Sequence, residues 1–301
     1  MASKPFQETA ASVEKELPLS PQARPQRRRV TGRFWSMLVF YVLIGFFLLN
    51  IIAMVGWVVL DSIGQEWFST WFPKGMITWQ WYAFELGDHD IVQLLSNTLI
   101  VALGSTLIGL LVGFPAAYVM ARKQFRLKGL VMALYLLPML IPPLAYGIPL
   151  ATVLMRYLGG ELPSVVLVNV VPTLPFIILI LAPFIEQVDT SLESASRMLG
   201  ANRFQTFVRI ILPLVVPGLL TAGVLAVVRI IATFELTYLV ANADAVTLVV
   251  VLYGDAFASG MRPEQSINAM AVIYMLTTMF LLGIALIFVK PTQFVVRLKG
   301  Q

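Results

Sequence analysis

The chain has 301 residues, 58% of them hydrophobic and 12% charged, with a mean hydropathy of +0.84. Soluble domains carry about 25% charged residues, so this composition belongs to a protein whose main solvent is a bilayer. It contains no cysteine and one histidine, His89, which excludes disulfides, thiolate chemistry and any multi-histidine metal site; no metal site is expected.

Residues 1–36 are polar, end in RPQRRRVTGRF and hold little to bury, so they read as a disordered cytosolic tail. Met37–Leu60 then runs for 24 residues without a charge. As a helix it would rise about 36 Å, enough to cross a hydrocarbon core of about 30 Å with some tilt. A cleaved signal peptide has an apolar core of roughly 7–15 residues, so the run reads as a retained first span. The arginine cluster bears a faint likeness to a twin-arginine export signal, which the spans downstream disfavour. Residues 61–93 form a loop rich in aromatics, with Trp67, Phe68, Trp71, Phe72, Trp79, Trp81 and Tyr82. Indole rings favour the membrane interface; the second reading is a docking surface for an extracytoplasmic partner.

A core of five further spans is predicted over 94–289, at Leu94–Ala121, Leu130–Met155, Ser164–Ile185, Pro213–Val240 and Ile267–Val289. Thr247–Tyr253 is too short to cross and reads as an interfacial or re-entrant piece. Six spans put both ends of the chain on one side. That side, which includes the C-terminal residues 290–301, holds 17 lysines and arginines against 3 on the other. The positive-inside rule makes it cytoplasmic. The pI of about 9.5 is then a matter of topology, with no nucleic-acid partner implied.

Within the cytoplasmic loop 186–212, SLESASRMLGANRFQTFVRIILP carries Glu193, Arg197, Arg203 and Arg209 between apolar runs. Phe204, Phe207, Val208 and Ile211 recur at three- and four-residue spacing, an amphipathic pattern. Gly200 interrupts it, either as a left-handed stop or as a point of close backbone approach. The expectation is a helix, a turn at Gly200–Ala201, and a second helix entering the membrane at Pro213.

This stretch resembles the "EAA" loop of permease subunits of binding-protein-dependent ABC importers: Glu-Ala-Ala, three residues, Gly, nine residues, Ile-x-Leu-Pro. Gly200, Ile210, Leu212, Pro213 and Ala195 match, while Ser194 and Ser196 stand at the Glu and last Ala positions, with Glu193 one residue earlier. Either Glu193 or Ser194 then takes the contact of the family's glutamate. Asn97–Arg122, the proline-rich Leu136–Leu150, FELTYLV and TLVVVLYGDAF also resemble family segments, so that the similarity runs from roughly Gln93 to Val289 and is greatest to spermidine/putrescine-type permeases. The resemblance implies an all-α, type I importer permease-like fold of six transmembrane helices with a cytoplasmic coupling helix, in a bacterial inner membrane. It implies as partners a cytoplasmic ABC ATPase dimer, a second permease subunit and a solute-binding protein. The ATPase contact falls to Glu193, Ser194, Ala195, Arg197, Gly200, Ala201, Arg203 and Phe204. The chain has no Gly-x-x-x-x-Gly-Lys-[Ser/Thr] sequence, so ATP and Mg are expected on the partner, with no cofactor and no enzymatic activity here.

Candidates for the substrate path are Glu235, Arg229, Tyr146 and Asn97. Glu235 and Arg229 are charges inside a predicted span, where ionisable groups face a bundle interior or a water-filled path. Six residues apart on a regular helix, they would point in different directions. A carboxylate on the path would favour cationic solutes such as polyamines. Pro138, Pro142, Pro143 and Pro149 break the third run, and Pro172, Pro175 and Pro183 the fourth, either as kinks between packed helices or as the lining of a cavity. Gly104, Gly109 and Gly113 suit close helix packing, and Asn97, Ser105 and Thr106 also read as hydrogen-bonding links between helices. An ion-coupled secondary transporter is the alternative, although it would want more intramembrane carboxylates. An intramembrane enzyme would want a nucleophile–base pair, and a scaffold would not need the broken spans.

Overall fold

The computed structural model describes residues 30–65, 77–257 and 262–288, and every regular element among them is helical. In chain order these are α1 (Val30–Ser62), α2 (Gln80–Asp88), α3 (Ile91–Arg122), α4 (Lys128–Leu140), α5 (Pro143–Leu158), α6 (Leu162–Glu186), α7 (Thr190–Met198), α8 (Arg203–Thr206), α9 (Leu212–Ala232), α10 (Glu235–Val240), α11 (Leu248–Phe257) and α12 (Glu264–Phe288). The chain divides into two compact units, Met1–Ala53 and Met54–Gln301. The described part of the first is the leading portion of α1. The described part of that helix opens at Val30, ahead of the apolar run that starts at Met37. Of the expected tail, residues 1–29 lie outside the described residues, as do the C-terminal residues 290–301 and Trp67, Phe68, Trp71 and Phe72 of the aromatic loop.

Among the described residues, five helices are long and apolar enough to cross a membrane: Trp35–Ser62, α3, α6, the continuous Arg203–Ala232 and α12. The third predicted run is the sixth crossing only as a bent pair, α4 and α5, which meet at 94°. The cause is Ile141-Pro142-Pro143. A residue before proline is driven out of the helical region, and Ile141 (ψ 135°) and Pro142 (ψ 135°) are both extended. The prolines of α6 do not break it; the helix runs unbroken through Pro172, Pro175 and Pro183. α11, ten residues long, is the short piece expected not to cross.

The fifth run departs from a regular helix twice. Phe207–Ile211 is a π-turn, with the Leu212 N–H bonded to Phe207 O. Pro213 has no N–H for the carbonyl four residues back and crowds it, which the wider turn relieves. Farther on, Thr233 is extended (ψ 122°) and ends α9, so Glu235 starts a separate short helix. The helical-wheel separation expected for Arg229 and Glu235 therefore does not apply.

α3, α6 and α9 pack together as the centre of the second unit. Phe114, Ala117, Ile177, Leu181, Ile185, Ile211 and Val215 are buried toward the end where α3 finishes, and Val101, Ala102, Val165, Val168 and Ile231 nearer its start. The α3–α6 contact depends on missing side chains. A Cβ on Gly113 would lie 2.9 Å from Ile177 Cγ2, an atom fixed close to the α6 backbone. Gly113→Val is thus expected to destabilise the fold by about 1–3 kcal/mol through overpacking, seen as a lower thermal midpoint in detergent. Gly87→Ala, where the added carbon meets nothing within 4 Å, should leave the midpoint close to that of the parent.

Candidate functional site

α7, the turn at Gly200 and α8 form a helix–turn–helix at the end of the bundle where α3 finishes. Asp189 caps α7, its Oδ1 accepting the Ser191 N–H at 2.8 Å. Hydrogen bonds from the Ser191 backbone and then its side chain hold the Asp189 carboxyl below its ordinary pKa. The cap is therefore complete above the usual carboxylate range and lost only as the pH falls through the lowered value. Gly200 has φ +87°, and a Cβ on it would meet nothing within 4 Å. Left-handed backbone, not close approach, is what requires glycine there. The N–H of Ala201 reaches back to Ser196 O at 3.0 Å, closing the helix end. α8 then starts from a capping box in which Asn202 and Gln205 exchange hydrogen bonds of 2.8 and 3.0 Å. A 2.9 Å hydrogen bond between Ser196 Oγ and Thr206 Oγ1 joins the two arms.

Glu193 ties this unit to the bundle. It is 7% exposed. Its Oε1 lies 2.8 Å from Arg122 Nε as a close charge contact without aligned hydrogen-bond geometry. Its Oε2 accepts from the Tyr118 hydroxyl at 2.7 Å and has Arg197 Nη2 at 3.7 Å. Arg122 also donates to Val188 O. Ser194 is exposed and its hydroxyl reaches only Thr190 O, at 3.3 Å. The inward polar contact is thus made by Glu193, and Ser194, Ala195, Arg197 and Arg203 face outward. So does Phe204, 73% exposed; the apolar stripe predicted to include it comprises Phe207, stacked on Phe114 at 4.7 Å, and the fully buried Ile211. Two neighbours of Gly200 that the sequence pattern did not single out, Met198 and Leu199, are 83% and 89% exposed. The signal was there: two large apolar residues immediately before a glycine in an otherwise polar loop.

A second constellation lies where the backbone breaks. Pro138, Ile141 and Pro143 at the α4–α5 bend, Pro172 and Thr173 of α6, and Arg229 and Thr233 at the end of α9 surround a cavity of about 80 Å³. Of the predicted path residues, Arg229 and Tyr146 line it. Arg229 Nη1 donates to Pro172 O at 2.8 Å and its guanidinium lies 5.1 Å from the Phe176 ring centre. The Tyr146 hydroxyl is buried without a hydrogen-bond partner among the described residues. Glu235 is half-buried and does not line the cavity. Asn97 is placed elsewhere: both its bonds, 2.8 and 2.9 Å to Asp244 O and Val246 O, hold the connection ahead of α11. These bonds match the second of its two readings, a hydrogen-bonding link between segments. Asn169 and Thr173, which the sequence did not single out, do line the cavity. Pockets for small ligands commonly enclose about 300–1,000 Å³, so this cavity is smaller than a usual small-ligand site.

The Glu193–Arg122 pair yields a measurable expectation. Removing one partner of a buried pair leaves an uncompensated charge, at a cost of about 3–5 kcal/mol. Glu193→Ala should lower the thermal midpoint in detergent far more than Ser194→Ala, and Glu193→Leu combined with Arg122→Leu should recover most of the loss.

The family profile described as "Binding-protein-dependent transport system inner membrane component" matches residues 89–292. A molybdate/tungstate transport system permease protein of Pyrococcus abyssi is 29% identical over 198 residues, covering 65% of this chain and 79% of that protein. A spermidine/putrescine transport system permease protein of Salmonella typhimurium is 30% identical over 221 residues, covering 64% and 77%. Among solved structures, a chain of a bacterial ABC transporter involved in the import of the acidic polysaccharide alginate aligns with a TM-score of 0.69 at 18% identity, covering 85% of this chain and 96% of that one. A chain of the MetNI methionine ABC transporter in an inward-facing conformation aligns with a TM-score of 0.55 at 20% identity, covering 65% and 92%.

Proposed function

The chain belongs to the family of binding-protein-dependent transport system inner membrane components, and from that premise we propose how its two constellations divide the work. It is a multi-pass transport permease, the membrane subunit of an ABC importer. The exposed face of the α7–Gly200–α8 unit docks into a cytoplasmic ATPase, which binds ATP and Mg. A second permease subunit supplies the facing wall of the path, and a solute-binding protein delivers the solute on the opposite side. The lysine and arginine distribution supports an inner-membrane protein with cytoplasmic termini.

The observation that carries this reading is the coupling unit. Met198, Leu199 and Phe204 are more than 70% exposed yet sit on an element capped at both starts, bridged across its turn and anchored through Glu193. A rigid element presenting apolar side chains next to Arg197 and Arg203 is suited to a protein groove. A side chain at Gly200 would oppose the left-handed turn at a cost of about 1–2 kcal/mol, on the very tip that docks. Gly200→Val is expected to reduce uptake at least tenfold in membrane vesicles while the chain remains in the membrane. Unchanged uptake would remove Gly200 from the coupling role. Tagged chain purified in mild detergent should bring with it a Walker-motif ATPase, and Leu199→Asp combined with Phe204→Asp should release that ATPase. A chain that purifies alone and monodisperse would favour ion-coupled transport.

The relatives named above serve solutes of opposite charge, an oxyanion and a polyamine. Glu235 motivates a cationic solute from the sequence. The position of Arg229 favours the other sign: it lines the cavity beside the unpartnered Tyr146 hydroxyl, and Glu235 does not. We infer a small solute bearing an anionic or acceptor-rich group. Arg229→Gln should then depress uptake of that solute at least tenfold, with Glu235→Gln nearly silent. The reverse ranking would restore the polyamine reading.

A further inference from the structure

At the end of α3 opposite the coupling unit, three elements bring ionisable side chains together. α2 supplies Glu85 and Asp88, its C-terminal cap is His89, α11 supplies Asp255, and Arg262 and Ser266 stand at the start of α12. Arg262 organises the group. Its Nη1 lies 3.0 Å from Glu85 Oε1, its Nε lies 3.0 Å from Asp255 Oδ1, and its Nη2 pairs with Asp88. Ser266 also donates to Glu85 Oε1. Each of the two inner carboxylates therefore spends one oxygen on Arg262 and turns the other toward the same point. Glu85 Oε2 lies 3.6 Å from His89 Nε2, and Asp255 Oδ2 shares a 3.1 Å hydrogen bond with the same nitrogen.

Glu85 is fully buried, and its Oε2 has no hydrogen-bond partner among the described residues. A buried carboxylate oxygen left without a donor is costly. Three carboxylates against one guanidinium also leave the cluster two negative charges in excess while His89 is neutral. One dication would answer both. We propose that Glu85, His89 and Asp255 form a binding site for a transition-metal dication of the zinc class.

The spacing suits it. Zinc bonds of about 2.0–2.2 Å in a tetrahedron set donor atoms about 3.3–3.6 Å apart, and the three donor atoms here lie within 4.8 Å of one another. Glu85 lies in the last turn of α2 and His89, four residues on, is its extended C-cap, and that turn brings the two side chains within 3.6 Å of each other. Imidazole with carboxylates selects zinc or cobalt over magnesium, which prefers oxygen and water. Arg262 acts in the outer shell, orienting both carboxylates as hydrogen-bonded partners do in metal sites. The bound ion would lock the loop bearing α2 onto α11 and α12.

The test uses the full chain in its complex in mild detergent, stripped with EDTA and titrated with zinc chloride by calorimetry and cobalt chloride by visible absorption. One ion per chain is expected, with cobalt d–d bands, little competition from magnesium, and affinity at least tenfold weaker in both His89→Gln and Asp255→Asn. His89 is partly exposed, so His89→Gln decides the matter if Asp255→Asn fails to fold. Absence of binding, or binding that His89→Gln leaves unchanged, overturns the site and leaves the cluster an ion-pair staple.

Discussion

In a hydrocarbon solvent no backbone N–H or C=O can be left open, and that constraint decides where this chain is allowed to stop being helical. Breaks in its spans occur at Ile141–Pro142 and at Thr233, which lie far apart in sequence but beside one cavity. Between them stands α6, whose prolines leave the helix intact while Arg229 donates to the Pro172 carbonyl. The irregular backbone is gathered where polar side chains can serve it. The cavity and the breaks are one feature seen from two sides.

At the coupling end the same economy is reached by other means. α7 and α8 are too short to be stable alone, and the coupling role proposed for them needs a unit that does not fray. Each start is closed by a side-chain cap, the two arms share a hydroxyl–hydroxyl bond, and a buried carboxylate of α7 meets an arginine and a tyrosine of the bundle, with Arg197 of its own helix nearby. Apolar side chains can then be held in water at the tip without a collapsing loop beneath them.

Much of this was legible from residue order. Long uncharged runs located the spans, and the glycine-to-proline spacing located the turn at Gly200. The double proline marked the bend, although its 94° was not to be had from sequence. Other features were hidden for identifiable reasons. Thr233 breaks its helix with no proline or glycine to announce it, so Glu235 was assigned to a wheel it does not share with Arg229. Phe204 fitted an apolar stripe because a π-turn shifts the phase of the residues after it. Pro172, Pro175 and Pro183 looked like breaks in a helix that in fact continues. Asn97 was ambiguous until its carbonyl partners, some 150 residues away, were in place. The group around Arg262 joins residues up to 181 positions apart, a separation no local pattern can report.

Arg203 to Ala232 is one continuous 30-residue helical path, π-turn included, with Arg203 beside the Gly200 turn and Arg229 on the cavity. The 26 residues between them amount to a rod of about 39 Å at 1.5 Å per residue. A tilt of about 10° about one end would sweep the other through roughly 7 Å, more than one helical turn. On the proposed reading, the same covalent element thus fixes a gear ratio between the two ends: an angular displacement small enough to preserve the capped turn is large enough to move the cavity lining to which Arg229 belongs.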